Sequence, residues 1–371
     1  MEKVTIIGGG NGGFAAAADL TIRGNQVTLF ELPQFADGLK EVIERGGIEM
    51  EAYETNGLKG GFAKLHKITT DIQEALAESD IVIMIAPSYS TANMAKVCAP
   101  YLRDNHIFCM MPGNFGGILY FANEVKKSGN NANVQYADFS CMIYATRKKT
   151  PSSSWVRGYK HNLGVAMFPS NGSEGAFARL KSIYPYIKQY NNVIETGMSN
   201  INTTLHTSLM LLNAANIDNQ EDRLFYRECT TSPSLDNIMD ALNEERVALN
   251  TLPNMAVPTL VQIIKDWYGY QGAVGETVVE LQHSIPHFAY SPMPKTMNYR
   301  YVTEDVPFGL IPIAEFLGKM GFKNTMHTAL VNIMCAVCKK DFYDGAMSLE
   351  KMGLDGMNID QVMDYLATGK K

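Results

Sequence analysis

No uninterrupted apolar stretch in this 371-residue chain reaches membrane-spanning length. Nor does a leader-like segment open it, because Met1-Glu2-Lys3 runs directly into a short apolar strand. A cytoplasmic protein with no membrane partner is the expectation. Basic clusters are also missing. The net charge is −6, and the one basic run, Arg147-Lys148-Lys149, is short enough to read as a solvated loop, so no nucleic-acid partner is expected. The six cysteines (98, 109, 141, 229, 335, 338) are scattered and should remain thiols in a reducing compartment. Cys335-x-x-Cys338 lies inside an apolar run and reads as a pair of small buried hydrophobes. His283 and His287 are separated by Pro286, which breaks any helical face they could share, so no metal site is expected.

What is present is a well-packed globular composition, 46% hydrophobic and 19% charged, long enough for two domains. The first strand, Val4-Thr5-Ile6-Ile7, passes at once into Gly8-Gly9-Gly10-Asn11-Gly12-Gly13 and an alanine-rich helix start. Strand, G-x-G-x-x-G turn and helix follow in the order a dinucleotide-binding βαβ unit needs. Gly8 allows the tight turn, Gly10 lets the backbone approach a pyrophosphate, and Gly13 lets helix and strand pack closely. The pyrophosphate would rest on the free N–H groups and positive dipole end of the helix. A second strand, Gln26-Val27-Thr28-Leu29-Phe30, ends in Glu31, whose carboxylate would accept from the adenine-side ribose hydroxyls. The predicted cofactor site is thus Gly8, Gly10, Asn11, Gly12, Gly13 and Glu31. Glu31 favours NAD, since a carboxylate repels a 2′-phosphate and no arginine follows closely; NADP is the alternative.

Further strands are expected at residues 81–86, 106–111, 134–139, 142–146, 163–168 and 192–195, interleaved with helices as in a parallel doubly wound sheet. The Pro87-Ser88-Tyr89-Ser90 and 112–117 loops fall at carboxyl ends of these strands, so they should wall the nicotinamide half of the cleft. From about residue 200 the texture changes to helical segments at 203–217, 235–252, 258–267, 309–320 and 325–338. The expected organisation is a Rossmann-type domain over residues 1–198 and an all-helical substrate domain over 199–371. The helical half is large enough to bury a homodimer face.

A proton donor beside the substrate carbon calls for a histidine. His206 sits early in the apolar helix that opens the second half, where the cleft must lie. Arg300-Tyr301-Val302-Thr303-Glu304-Asp305 ends a loop before another apolar helix. Arg300 could clamp a carboxylate and an acid there could orient a histidine; a surface salt bridge and a helix cap explain these residues equally well. Spacing alone cannot bring His206 and Asp305 together.

Read together, these segments resemble the octopine/nopaline (opine) dehydrogenase family. The resemblance runs from the glycine motif through Pro112-Gly113…Gly116-Gly117, Asn202…His206…Leu212-Asn213-Ala214 and Glu244-Glu245-Arg246. It is most specific at Arg300-Tyr301…Glu304-Asp305-Val306-Pro307-Phe308-Gly309-Leu310 and ends at Leu349-Glu350-Lys351-Met352-Gly353-Leu354. It implies NAD(P)H-dependent reductive condensation of an amino acid with a 2-oxo acid such as pyruvate, with His206 as acid/base, Asp305 as its orienting partner and Arg300 as the oxo-acid clamp. Two departures are visible: Thr207 where the family usually has proline after the histidine, and Ser88-Tyr89-Ser90-Thr91 where it often has a histidine. Glycerol-3-phosphate and ketopantoate reductases, and other 2-hydroxy or oxo acid reductases, share the first domain. The first two usually use a catalytic lysine, and the start of the His206 helix has none. A non-catalytic dinucleotide-binding protein would be expected to lose His206 or Asp305.

Overall fold

The computed structural model describes residues 1–53 and 57–371. Its strands are β1 (Lys3–Ile7), β2 (Gln26–Phe30), β3 (Gly47–Ala52), β4 (Gly61–Lys64), β5 (Lys67–Thr69), β6 (Ile81–Met84), β7 (Ile107–Met110), β8 (Gln135–Phe139), β9 (Tyr144–Arg147), β10 (Ser153–Tyr159), β11 (Leu163–Phe168) and β12 (Ile187–Gln189). Eight of them form one sheet in the order β12-β11-β8-β7-β6-β1-β2-β5. Every neighbouring pair is parallel except β8 with β11. The near-continuous apolar strands follow from burial on both faces. Val4, Ile6, Ile81 and Ile83 face one core; Ile7, Val82, Met84 and Phe108 face the other. The chain order reverses at β1, which lies between β2 and β6, so the loops after β1 and β6 flank the crevice where such sheets bind ligands.

Helix α1 (Asn11–Ile22) follows β1 directly. Ala15, Ala16, Ala17 and Ala18 have no exposed surface, because α1 is covered on two sides. The large sheet lies beneath it, and a second sheet of order β4-β3-β10-β9 packs over it. This second sheet is a departure from the sequence expectation, which assigned 142–146 to the doubly wound sheet. The strand expected at 192–195 is instead a helix, Val193–Met198, because the Asn192 side chain caps it by accepting from the N–H groups of Ile194 and Glu195.

Beyond β12 the chain is helical apart from one isolated bridge between Leu224 and Pro292. The long segment expected at 203–217 breaks at Asn213 into Ile201–Leu212 and Ala214–Asp218. The segment at 325–338 forms as expected, Thr325–Cys338. The final helices return to the first half. Met352 fills the space beside Gly116, and the carbonyls of Leu366 and Ala367 accept from the N–H groups of Ser170 and Asn171.

One buried carboxyl joins three of these elements. Asp138 on β8 accepts from the Gly113 N–H at 3.0 Å and meets the Thr196 hydroxyl at 2.5 Å. The same hydroxyl lies 2.9 Å from the Val193 carbonyl. A hydroxyl has one proton, so both contacts are satisfied together only when Asp138 is protonated and donates to Thr196. Burial agrees: it pushes the Asp138 carboxyl up to about 8, against the opposing hydrogen bonds of Thr196 and Gly113. A folded-state pKa above the unfolded value stabilises the fold fully at low pH. That contribution is lost as pH rises from the unfolded value toward about 8. Urea unfolding of the wild-type chain and of Asp138→Asn between pH 5 and 9 should therefore diverge. The variant keeps both partners without a titrating proton, and its advantage should grow with pH by up to about 1.4 kcal/mol per unit. Parallel curves would mean that Asp138 is ionised in the fold.

Candidate active site

The glycine motif folds into an open cradle at the amino end of α1. Gly8 adopts φ +116°, and a Cβ there would meet the Ile85 carbonyl oxygen at 2.3 Å. A Cβ on Gly13 would lie 1.7 Å from the Gly8 carbonyl oxygen, so helix and turn are in backbone contact. Gly12 makes room for Met142, whose Cε would sit 2.5 Å from an added Cβ. Gly10, by contrast, faces open space, with nothing within 4 Å of a Cβ. Gly10 is also the N-cap of α1, with no side chain bonded to the first-turn N–H groups and no acid in that turn. Free N–H donors at a positive dipole end, beside a glycine whose open face admits backbone-close approach, fit a pyrophosphate.

Glu31, at the end of β2, accepts from the Gly9 N–H at 2.7 Å and from the Leu32 N–H at 2.8 Å. Next to it is a cavity of about 530 Å³ whose walls include Phe30, Leu32, Pro33, Ile72 and Val97. Its apolar walls beside the Glu31 carboxylate would suit an adenine ring. Asn11 points its side chain elsewhere: its Oδ1 accepts from the Lys148 N–H at 2.8 Å, tying the loop after β9 to the cradle.

His206 and Asp305, 99 residues apart in the chain, meet in the fold. His206 Nδ1 lies 2.8 Å from Asp305 Oδ2, and both residues are only 7% exposed. The opposite nitrogen, Nε2, lies 2.9 Å from the Tyr226 hydroxyl. The Tyr301 ring stacks on the imidazole with centroids 3.7 Å apart and 21° between planes. With Asp305 accepting from Nδ1–H, Nε2 accepts from Tyr226 in the neutral imidazole and donates to it in the charged one. Sequence reasoning missed Tyr226, which lies in a polar, irregular stretch with no periodic signal. Tyr301 was quoted only as part of the Arg300 run.

Local structure explains how the imidazole is placed. Asn200 caps the helix by accepting from the Asn202 N–H, so the helix begins at Ile201 and His206 falls in its second turn. Thr207 is therefore past the first turn, where proline would be favoured. Its hydroxyl donates to the Thr203 carbonyl at 2.5 Å and the helix continues unbroken. The helix start is thus fixed by Asn200 and does not depend on residue 207.

Glu304, beside Asp305, reaches the other half of the chain. Its Oε1 accepts from the Ser88 N–H at 3.1 Å and from the Ser88 hydroxyl at 3.2 Å, in the loop after β6. The Asn114 amide donates to Ser88 Oγ, and the Asn200 amide donates to Asn114 Oδ1. The two loops expected to wall the cleft are thereby tied to both catalytic-candidate segments. Arg300 donates to Glu304 Oε2 at 2.8 Å and is otherwise open, with 67% of its side chain exposed.

The Glu244-Glu245-Arg246 segment has a structural part. Glu245 accepts from the N–H groups of Met326 and His327 and from His327 Nδ1, while buried Arg246 donates to the Met198 carbonyl.

Residues 189–338 match the family described as NAD/NADP octopine/nopaline dehydrogenase, alpha-helical domain, and residues 3–114 match the NAD-dependent glycerol-3-phosphate dehydrogenase N-terminus. An opine dehydrogenase of Arthrobacter sp. (strain 1C) is 28% identical over 356 residues, 96% of each chain. The chain is thus similar to an opine dehydrogenase along nearly its whole length, and its helical half matches the octopine/nopaline dehydrogenase helical domain. Among solved structures, octopine dehydrogenase with NADH and L-arginine superimposes with TM-score 0.78 at 18% identity, covering 100% of this chain and 99% of that one. Yersinopine dehydrogenase bound to NADP+ gives 0.73 at 14%, covering 99% and 98%. The chain is accordingly an NAD(P)-dependent oxidoreductase with a Rossmann-type first half and a helical second half.

The two glycines make a paired test of the cradle. Gly13→Ala forces a Cβ into backbone and should lower the unfolding midpoint of the whole chain by several degrees. Gly10→Ala should leave that midpoint within a degree or so yet weaken dinucleotide affinity tenfold or more, because its Cβ meets only bound cofactor. Equal dinucleotide affinity in Gly10→Ala would place the pyrophosphate elsewhere.

Proposed function

We propose that this chain reductively joins the amino group of an L-amino acid to the carbonyl of a pyruvate-like 2-oxo acid, giving an N-(carboxyalkyl) amino acid. The observation that carries the reading is the buried His206–Asp305 pair, held through Glu304 and Ser88 at the carboxyl ends of the strands beside the glycine cradle. Gly8, Gly10, Asn11, Gly12, Gly13 and Glu31 hold the dinucleotide, which when bound supplies the hydride for the imine carbon. His206 moves the protons. It takes one as the amine adds to the carbonyl and returns one to the hydroxyl that leaves as water, so the imine forms without net proton change. Asp305 keeps the Nδ1 proton in place and stabilises the imidazolium between those steps. Arg300 takes the oxo-acid carboxylate through the part of its fork that Glu304 leaves open. Tyr226, hydrogen-bonded to Nε2, must yield that nitrogen to substrate or pass its proton on.

The reading rests on a helical domain of the opine type, and a hydroxy-acid or glycerol-3-phosphate reductase would share only the first half of it. The direct measurement is loss of the 340 nm absorbance of NADH or NADPH with pyruvate and a pool of the twenty amino acids. Oxidation that requires both substrates supports the condensation; oxidation with pyruvate alone overturns its amino-acid half. His206→Ala should lose roughly 10²–10⁴ in turnover while keeping dinucleotide affinity within about threefold. Tyr226→Phe should keep that affinity too and lower kcat about tenfold, with a shifted pH profile. Normal turnover in His206→Ala would remove the histidine from the mechanism.

A further inference from the structure

Of the three bases in the Arg147-Lys148-Lys149 run, one does not behave as a solvated loop residue. Lys149 pairs with Glu51 near the end of β3 in the second sheet. Lys148 turns inward and is half-buried. Its Nζ donates to the Gly9 carbonyl at 2.6 Å and stands 3.3 Å over the Phe14 ring, within the first turn of α1. Its backbone N–H is held by Asn11.

This is a poor place for a lone cation. The amino end of α1 carries the positive end of the helix dipole, with neither a capping side chain nor an acid in its first turn. Burial pulls the ammonium below its ordinary pKa, and only the Glu31 carboxylate opposes that. Gly9 brings these two charges together. Glu31 bonds its N–H and Lys148 bonds its carbonyl, so cation and carboxylate flank the single residue between the first two motif glycines. Glu31 is the acceptor for the adenine-side ribose hydroxyls. A cation across Gly9 from that carboxylate is placed for an anion at the same ribose.

We propose that Lys148 binds the 2′-phosphate of NADPH beside Glu31, so that the cradle accepts both dinucleotides. The inference rests on the dinucleotide reading above. It explains how a chain with an acid at the end of β2 and no nearby arginine can still take the phosphorylated form: the cation arrives from the loop after β9, more than a hundred residues away. A phosphate there would return the buried ammonium an anionic partner and relieve its position at the helix end.

The test is the dissociation constants of NADH and NADPH, read from nicotinamide fluorescence of the full chain without amino or oxo acid. The wild-type chain should bind the two within about tenfold of each other. Lys148→Met keeps the apolar stem over Phe14 and should weaken NADPH tenfold or more while changing NADH less than about threefold. Lys148→Arg should hold NADPH within about threefold of wild type, which separates charge from packing. Unchanged NADPH affinity in Lys148→Met overturns the inference. So does equal weakening of both, because that places the ammonium on the pyrophosphate that both share. Failure of the wild-type chain to bind either dinucleotide would overturn the cofactor reading itself, a different result from wild-type binding that is indifferent to Lys148.

Discussion

Two consecutive carboxylates tie the halves of this molecule together at the site. Glu304 and Asp305 are adjacent in the chain and both largely buried, yet they serve different partners. Glu304 fastens the loop after β6, and Asp305 fastens the imidazole of His206. The stretch that follows, Val306–Leu310, winds as a π-turn, which releases backbone carbonyls from the regular helical ladder. Those carbonyls also bridge: Phe308 accepts from the Phe115 N–H in the loop after β7, and Pro307 accepts from the Met347 N–H. A side chain on Gly309 would strike Thr203, one turn before His206. Position and chemistry are thus coupled through one segment, and a carboxylate lost at 304 would loosen the site without touching substrate.

How much of this could be read in advance depends on the range of the forces involved. The βαβ opening was legible because its determinants are local: apolar strand, glycine turn and small-residue helix lie within about twenty residues, and Gly8 and Gly13 answer backbone contacts now visible. The helix at 325–338 was legible through periodicity alone. The second sheet was not, because β3 and β10 pair in parallel across a hundred residues, and nothing in either strand names the other. The strand expected at 192–195 failed for a local reason that was available, since an asparagine preceding an apolar run is a helix cap as readily as a strand end. His206 stood out by its place at the opening of the second half, but its pairing with Asp305 was nameable only through the family resemblance. Tyr226 was not nameable at all, since a tyrosine in an irregular stretch carries no pattern.

The histidines show why geometry has to arbitrate. His106 is buried beside the Ser79 carbonyl and held down to about 4 by desolvation and the neighbouring Arg103. His327 is buried with Nδ1 against Glu245, whose two oxygens also cap the helix by accepting from the N–H groups of Met326 and His327. His106 meets backbone only, the Arg103 N–H and the Ser79 carbonyl, while His327 engages Nδ1 alone and leaves its buried Nε2 without a partner among the described residues. His206 differs in having both nitrogens engaged by side chains of separate elements, under a stacked ring, next to the loops that end β6 and β7. Burial and a carboxylate partner do not distinguish it from His327; the second nitrogen and the location do.

That second nitrogen constrains the chemistry. In the proposed reaction, a proton that His206 delivers to substrate has to leave through Nε2, because Nδ1 faces Asp305. Yet Nε2 already touches the Tyr226 hydroxyl. Burial pushes the Tyr226 phenol well above its ordinary pKa, so a free phenolate is not a stop on any proton path at neutral pH. Two arrangements remain. Either the ring moves aside and substrate takes its place at Nε2, or the hydroxyl accepts from the imidazolium in the same motion in which it donates onward, never holding a full charge. Phe288 stacks on Tyr226 with centroids 4.5 Å apart, and Phe225 packs edge-on at 5.1 Å, so moving the ring costs buried aromatic contact. The relay asks for no such movement. The packing of the site therefore favours a hydroxyl that stays and passes a proton over one that swings away.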